Sequence, residues 1–103
     1  MPLTSRQSRH LRALAHDLTA IVYVGAAGVT DGVVDKTDKD LEAHELIKVK
    51  IEGDRDVVKA SAERLAAATG AELAQVIGKT AILYRRRKKK PTIQLPKAVS
   101  SDG

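Results

Sequence analysis

The sequence predicts an α+β fold, two layers thick, with elements in the order α-β-α-β-α-β-β around one mixed four-stranded sheet. Three observations predict it. Apolar residues recur at helical spacing in three stretches, residues 4–18, 30–45 and 54–69. Runs rich in β-branched residues, 21–24 and 46–51, lie between those stretches. Two further strand runs, 71–77 and 80–84, are separated only by Gly78-Lys79, the mark of a tight hairpin. At 103 residues the chain has room for one domain and one modest core.

In the first helix Leu11, Leu14, Ala15 and Leu18 fall on one side, and Arg6, Arg9 and Arg12 fall roughly opposite. Thr4 or Ser5 can cap it. No acidic residue precedes Asp17, so the arginine face is either a solvated surface or a phosphate-contacting one. In the second helix Val33, Val34, Thr37 and Leu41 form the inner stripe. Its outer face carries Asp31, Asp35, Asp38, Asp40, Glu42 and Glu45 against Lys36 and Lys39, which reads as a solvated acidic face that repels nucleic acid. Strand two, 46–51, alternates: Ile47, Val49 and Ile51 point one way, Lys48 and Lys50 the other. Such a strand is covered on one side only, its basic side turned to solvent or RNA. Gly53-Asp54 starts helix three, whose stripe is Val57, Val58, Ala62, Leu65 and Ala66, and Gly70 ends it. Two βαβ crossovers, right-handed as such units are, then feed the terminal hairpin.

The connection from strand one to helix two is the most informative stretch. Gly25-Ala26-Ala27-Gly28 leaves a backbone almost without side-chain cover, and Thr30 behind it is a good N-cap. Bare N–H groups beside the positive end of a helix can hold a phosphate. The alternative is a structural turn, since tight β-to-α connections use glycine for conformational reasons alone.

Charge distribution constrains the partner. The chain is +5 overall, but residues 1–84 hold 11 basic against 12 acidic residues, a net of −1. The excess lies in Arg85, Arg86, Arg87, Lys88, Lys89, Lys90 and Lys97, opposed only by Asp102. A binding face on the folded part therefore requires segregation of charge, with the basic run as a salt-sensitive supplement or a non-specific tether. Two tyrosines, with no Phe or Trp, argue against base stacking as the main mechanism. The periodicity stops at Arg85, so residues 1–86 are expected to form the domain and 87–103 a basic, proline-containing, flexible tail.

Other chemistry is poorly supported. There is no cysteine, hence no disulfide or thiolate metal site, which suits a reducing cytoplasm. No apolar run approaches the ~20 residues of a membrane span, and residues 1–10 lack a signal-peptide apolar region. Gly78-Lys79-Thr80 resembles the end of a P-loop, but Leu73 stands where its first glycine is needed and a strand follows. His10, His16 and His44 lack metal-pair spacing, and no serine has nucleophile-elbow context. His16 and His44 sit near helix C-termini, where a partly charged imidazole is favourable. Neither a cofactor, a metal nor an enzymatic activity is expected.

Four blocks carry a family resemblance over residues 3–96: Leu11-Arg12-Ala13-Leu14-Ala15-His16; Gly25-Ala26-Ala27-Gly28-Val29-Thr30; His44-Glu45-Leu46-Ile47-Lys48-Val49-Lys50; and Val76-Ile77-Gly78-Lys79-Thr80 followed by Leu83-Tyr84-Arg85. Ile93-Gln94-Leu95-Pro96 matches the closing segment. In their order and spacing the chain resembles the YhbY-like proteins, single-domain bacterial forms of the CRM (chloroplast RNA splicing and ribosome maturation) domain. The resemblance implies a fold like the C-terminal domain of bacterial initiation factor 3, a G-x-x-G loop likened to that of KH domains, and non-catalytic RNA binding in assembly of the large ribosomal subunit. Two positions depart from the family pattern: Thr19-Ala20 replaces a common proline before strand one, and Ala26-Ala27 replaces polar or basic loop residues. A phosphate at this loop would therefore be held by backbone N–H groups. The candidate RNA-binding set is Gly25, Ala26, Ala27 and Gly28; Arg6, Arg9 and Arg12; Lys48, Lys50 and Lys79; and Arg85 through Lys90. The expected partner is large-subunit rRNA precursor bound by a monomer, with ribosomal proteins as further candidates. The competing expectation is a protein-docking adaptor that uses the acidic helix face or the sheet.

Overall fold

A computed structural model describes residues 3–96 and places seven elements: α1 (Ser5–Ala15), β1 (Ala20–Val24), α2 (Asp31–His44), β2 (Leu46–Ile51), α3 (Arg55–Thr69), β3 (Glu72–Ile77) and β4 (Thr80–Tyr84). The α+β class, the element order and the mixed four-stranded sheet are as expected. The sheet order is β1-β2-β4-β3: β1 is parallel to β2, and β4 is antiparallel to both β2 and β3. The second crossover thus skips a strand position, and β4 returns to fill it. β1, β2 and β3 consequently end at the same edge of the sheet.

Both faces of the sheet are covered, so the two-layer expectation is amended. Val22, Val24, Ile47, Val49, Ile51, Ala81 and Leu83 pack with Leu41 of α2 and with Val58, Ala62 and Leu65 of α3. On the opposite face Leu46, Ala74, Ile82 and Tyr84 pack with Leu11 and Ala15 of α1. Every residue from Ala81 to Tyr84 is buried, which a strand covered on one face cannot achieve. The one-sided reading of strand two is likewise corrected at Leu46, which is buried under the α1 layer.

Local chemistry sets the helix ends. Thr4 and Gln7 form a reciprocal capping box on α1, each side chain bonding the other's backbone N–H at 3.1 Å. α1 stops at Ala15, short of the expected residue 18, because the chain turns at once into β1, with Leu18 N–H donating to the Ala15 carbonyl. Leu14 and Leu18 are therefore left 44% and 40% exposed; only Leu11 and Ala15 of the expected stripe reach the core. Thr30 and Asp54 cap α2 and α3 by accepting from Val33 and Val57 N–H groups. Val57, expected in the α3 stripe, is 47% exposed beside Gly53.

Of the expected flexible tail, residues 87–96 are held against the fold, and residues 97–103, Lys97 among them, lie outside the described residues. Glu45, read from the sequence as part of a solvated acidic face, is fully buried. It is the single residue between α2 and β2, with φ +64°. Its carboxylate accepts from the N–H groups of Arg87 (3.0 Å), Thr92 (2.6 Å) and Ile93 (3.0 Å), and from the Thr92 hydroxyl (2.6 Å). Ile93 and Leu95 pack against the α1-side core, and Gln7 Nε2 donates to the Pro96 carbonyl. Burial raises the Glu45 pKa, but the four donated hydrogen bonds outweigh it and hold the group at about 2, against an ordinary 4.5.

Candidate nucleic-acid interface

The Gly25–Gly28 loop sits at the edge where β1, β2 and β3 end. Its backbone closes a turn, with Gly28 N–H donating to the Gly25 carbonyl at 2.9 Å. Gly28 has φ +80°, and a Cβ there would meet nothing within 4 Å, so glycine is required by backbone conformation and not by crowding. Ala26 and Ala27 are exposed, and among the described residues no hydrogen bond engages their N–H groups. The Gly28 N–H is spent on the turn, so an anion at this loop would meet the two alanine amides. Thr30 and the first turn of α2 follow directly.

Two backbone bonds tie together the connections at this edge of the sheet. Glu52 N–H donates to the Val24 carbonyl and Ile51 N–H to the Lys79 carbonyl, both at 2.8 Å. The Gly25–Gly28, Glu52–Asp54 and Gly78–Lys79 connections thus form one rim. In open α/β sheets the carboxyl ends of strands are the usual place for ligands, since helix N-termini and loops gather there.

Below the rim, on the α1 side of the sheet, α1 covers only part of the surface. The uncovered part carries Tyr23 opposite Lys50 in the β1–β2 register, with Lys48 one step along. Tyr23 is 57% exposed and its hydroxyl donates to Glu52 Oε2; that hydrogen bond, before desolvation and the Glu52 charge, raises its pKa. The Tyr23 ring lies against Gly25, where a Cβ would come within 3.3 Å of Cε2. Lys48 Nζ reaches the His16 carbonyl at 3.4 Å, tying the end of α1 to this surface. Arg9 and Arg12 line a shallow depression with His16 and Asp17. The structure thus brings Gly25–Gly28, Lys48 and Lys50 into one region, with Arg9 and Arg12 bordering it through the end of α1; Lys79 stands on the same rim but lines the opposite face beside Arg55 and Lys59, and Arg6 is exposed in the first turn of α1. Tyr23 belongs to this region too. Counting aromatics passed over it; its alternation with buried Val22 and Val24 was the signal that it faces outward.

The basic run divides by alternate residues. Arg85 donates to Asp38 Oδ1 (2.5 Å), to the Asp38 carbonyl (3.0 Å) and to the Thr69 carbonyl (2.8 Å), and lies 3.5 Å from Glu42. Arg87 donates to the carbonyls of Ala43 and Lys90. These two side chains staple β4 and the following segment to α2. Arg86, Lys88, Lys89 and Lys90 remain exposed, near the edge where β2 begins and β4 ends, away from the glycine loop. The acidic face of α2 is partly neutralised by Arg85 and by a Lys36–Asp40 pair at 2.9 Å.

Among the described residues no group of three or more His, Cys, Asp or Glu could hold a metal, and no helix is long and apolar enough to cross a membrane.

Comparison with known proteins agrees with this architecture. The model of the CRS1 / YhbY (CRM) domain matches residues 3–85. The chain is 42% identical over 98 residues to the Bacillus subtilis protein named probable RNA-binding protein YqeI, covering 91% of this chain and 99% of the relative. It is 38% identical over 96 residues to a Haemophilus influenzae protein named RNA-binding protein, covering 92% and 96%. The solution structure of hypothetical protein SAV1595 from Staphylococcus aureus, described as a candidate RNA-binding protein, superposes with a TM-score of 0.82 at 41% identity, covering 91% of this chain and 99% of that one.

Proposed function

The chain belongs to the CRS1 / YhbY (CRM) domain family, and from that premise we propose that it binds RNA without catalysis. Relatives named as RNA-binding proteins support the reading. The observation that carries it is the adjacency of a bare backbone loop to an uncovered strip of sheet bearing Tyr23, Lys48 and Lys50. The Ala26 and Ala27 amides hold a phosphate beside the N-terminus of α2. Lys48 and Lys50, with Arg9 and Arg12 bordering, neutralise phosphates on the Tyr23 side, Lys79 one that crosses the rim, and Tyr23 offers one base a stacking surface. The proposed partner is precursor rRNA of the large ribosomal subunit, with the protein acting as a monomeric assembly factor in the cytoplasm.

Ala27→Glu tests the loop without changing its backbone requirement. We expect affinity for a large-subunit rRNA fragment, measured by fluorescence anisotropy, to fall roughly tenfold or more through like-charge repulsion. The melting temperature should stay put. Unchanged affinity removes the loop from the interface.

A further inference from the structure

On the opposite face of the sheet from Tyr23, a cleft of about 860 Å³ opens between the start of α3 and the β3–β4 hairpin. None of the sequence expectations used it except through Lys79. Its floor is apolar: Val58 is buried in the core, and Leu73 and Val76 are partly buried against that core. Its sides carry Arg55, Lys59 and Lys79, all exposed. One acidic residue, Asp54, also lines it, but the Asp54 side chain is committed to the Val57 N–H at 2.9 Å. Gly53 and Gly78 form two of its lips. Gly53 has φ +132°, and a Cβ there would lie 2.6 Å from Val57 Cγ1; Gly78 has φ +58°. Neither lip therefore carries a side chain that could cover the opening.

An apolar floor under three cations and a bare backbone suits a flat, apolar-faced group attached to an anion. We infer that this cleft takes one nucleotide of a single-stranded RNA, its base over Val58, Leu73 and Val76 and its phosphate among Arg55, Lys59 and Lys79. The inference rests on the RNA-binding proposal and extends it. The cleft opens on the same rim as the glycine loop, because Glu52 N–H is bonded to the Val24 carbonyl and Ile51 N–H to the Lys79 carbonyl. A strand clamped at Ala26-Ala27 can therefore run along the rim and turn a base into the cleft. With no directed hydrogen bonds at the floor, the cleft accepts any base by apolar burial.

The test is an NMR titration of the ¹⁵N-labelled full chain with a short oligoadenylate and with an abasic oligonucleotide of the same length. Expected are amide shifts at Ala26 and Ala27 with both ligands, and shifts at Gly53, Val76 and Gly78 with oligoadenylate only. Cleft shifts of equal size with both ligands, or none with either, overturn the base site while leaving loop binding intact. Absence of binding by either oligonucleotide overturns this inference, and the rRNA-fragment titration then decides separately whether the RNA-binding proposal stands. The paired substitution Arg55→Ala and Lys59→Ala, both on exposed positions, should weaken oligoadenylate binding about tenfold, as loss of two phosphate contacts at moderate salt does, with an unchanged melting temperature; unchanged affinity also overturns the site.

Discussion

The two ends of the sheet are built on opposite plans. At the rim where β1, β2 and β3 finish, connections are short, glycine-bearing and poor in side-chain bonds, and the Ala26 and Ala27 amides are unengaged. At the other end, where β2 starts and β4 finishes, Glu45, Arg85 and Arg87 bind at least seven backbone and side-chain partners between them. The open end has binding capacity left over, whereas the closed end has spent its capacity on the fold. A count of positive charge pointed to the closed end, yet two of its six consecutive basic residues are internal staples. Charge in a sequence becomes charge available to a ligand only after the protein's own carbonyls and carboxylates have taken their share.

The largest expected effect separates the ends by stability. Glu45→Ala removes the acceptor for three N–H groups and a hydroxyl in a buried place, and should lower unfolding free energy in urea by about 3 kcal/mol or more. The same residue sets an acid limit. Its folded pKa of about 2 lies below the ordinary 4.5, so its contribution is fully present above pH 4.5 and is lost as pH falls from there toward 2. At 1.36 kcal/mol per pH unit that gap is about 3 kcal/mol. Denaturant midpoints should drop over that window in the native chain and much less in Glu45→Gln.

A smaller effect divides neighbours in the basic run. Arg85→Ala should cost about 1–2 kcal/mol, for loss of charge-assisted bonds at a half-buried site. Arg86→Ala should leave stability within about 0.5 kcal/mol and, if residue 86 meets RNA, lower the slope of log affinity against log salt by about 0.7. A stability loss at Arg86 equal to that at Arg85 would erase the distinction. Of the substitutions expected to cost stability, the mildest belongs to the open end: Gly28→Ala should cost about 1 kcal/mol, because φ +80° is strained for a residue with a Cβ. Equilibrium unfolding at neutral pH checks both.

Periodicity was enough to place the elements, since strong alternation in β2 and helical spacing in α2 and α3 are set by local pattern. It failed where one residue's fate depends on distant chain. Leu46 and Ile82 needed α1 above them to be buried, and nothing in their strands announces a helix from the other end of the sequence. Glu45 lies four residues after Leu41, on the inner side of α2, so helical spacing by itself turns it inward; its partners, 42 to 48 positions further along, are what no local pattern announces. The glycine loop could be read directly because bareness is a property of composition. Tyr23 was missed by counting aromatics when its position in an alternating strand was the informative fact.

The Glu45 anchor also has a consequence in time. Its principal donors lie 42 to 48 positions further along the chain, so a ribosome makes them well after α2 and β2. While the chain is being synthesised, α2 and β2 can exist with their junction carboxylate still exposed to water. Burial becomes favourable only when Arg87, Thr92 and Ile93 have emerged. Closure of the α2–β2 junction thus waits on residues 87–93, so a chain truncated before residue 87 would carry an unsatisfied carboxylate between its second helix and second strand.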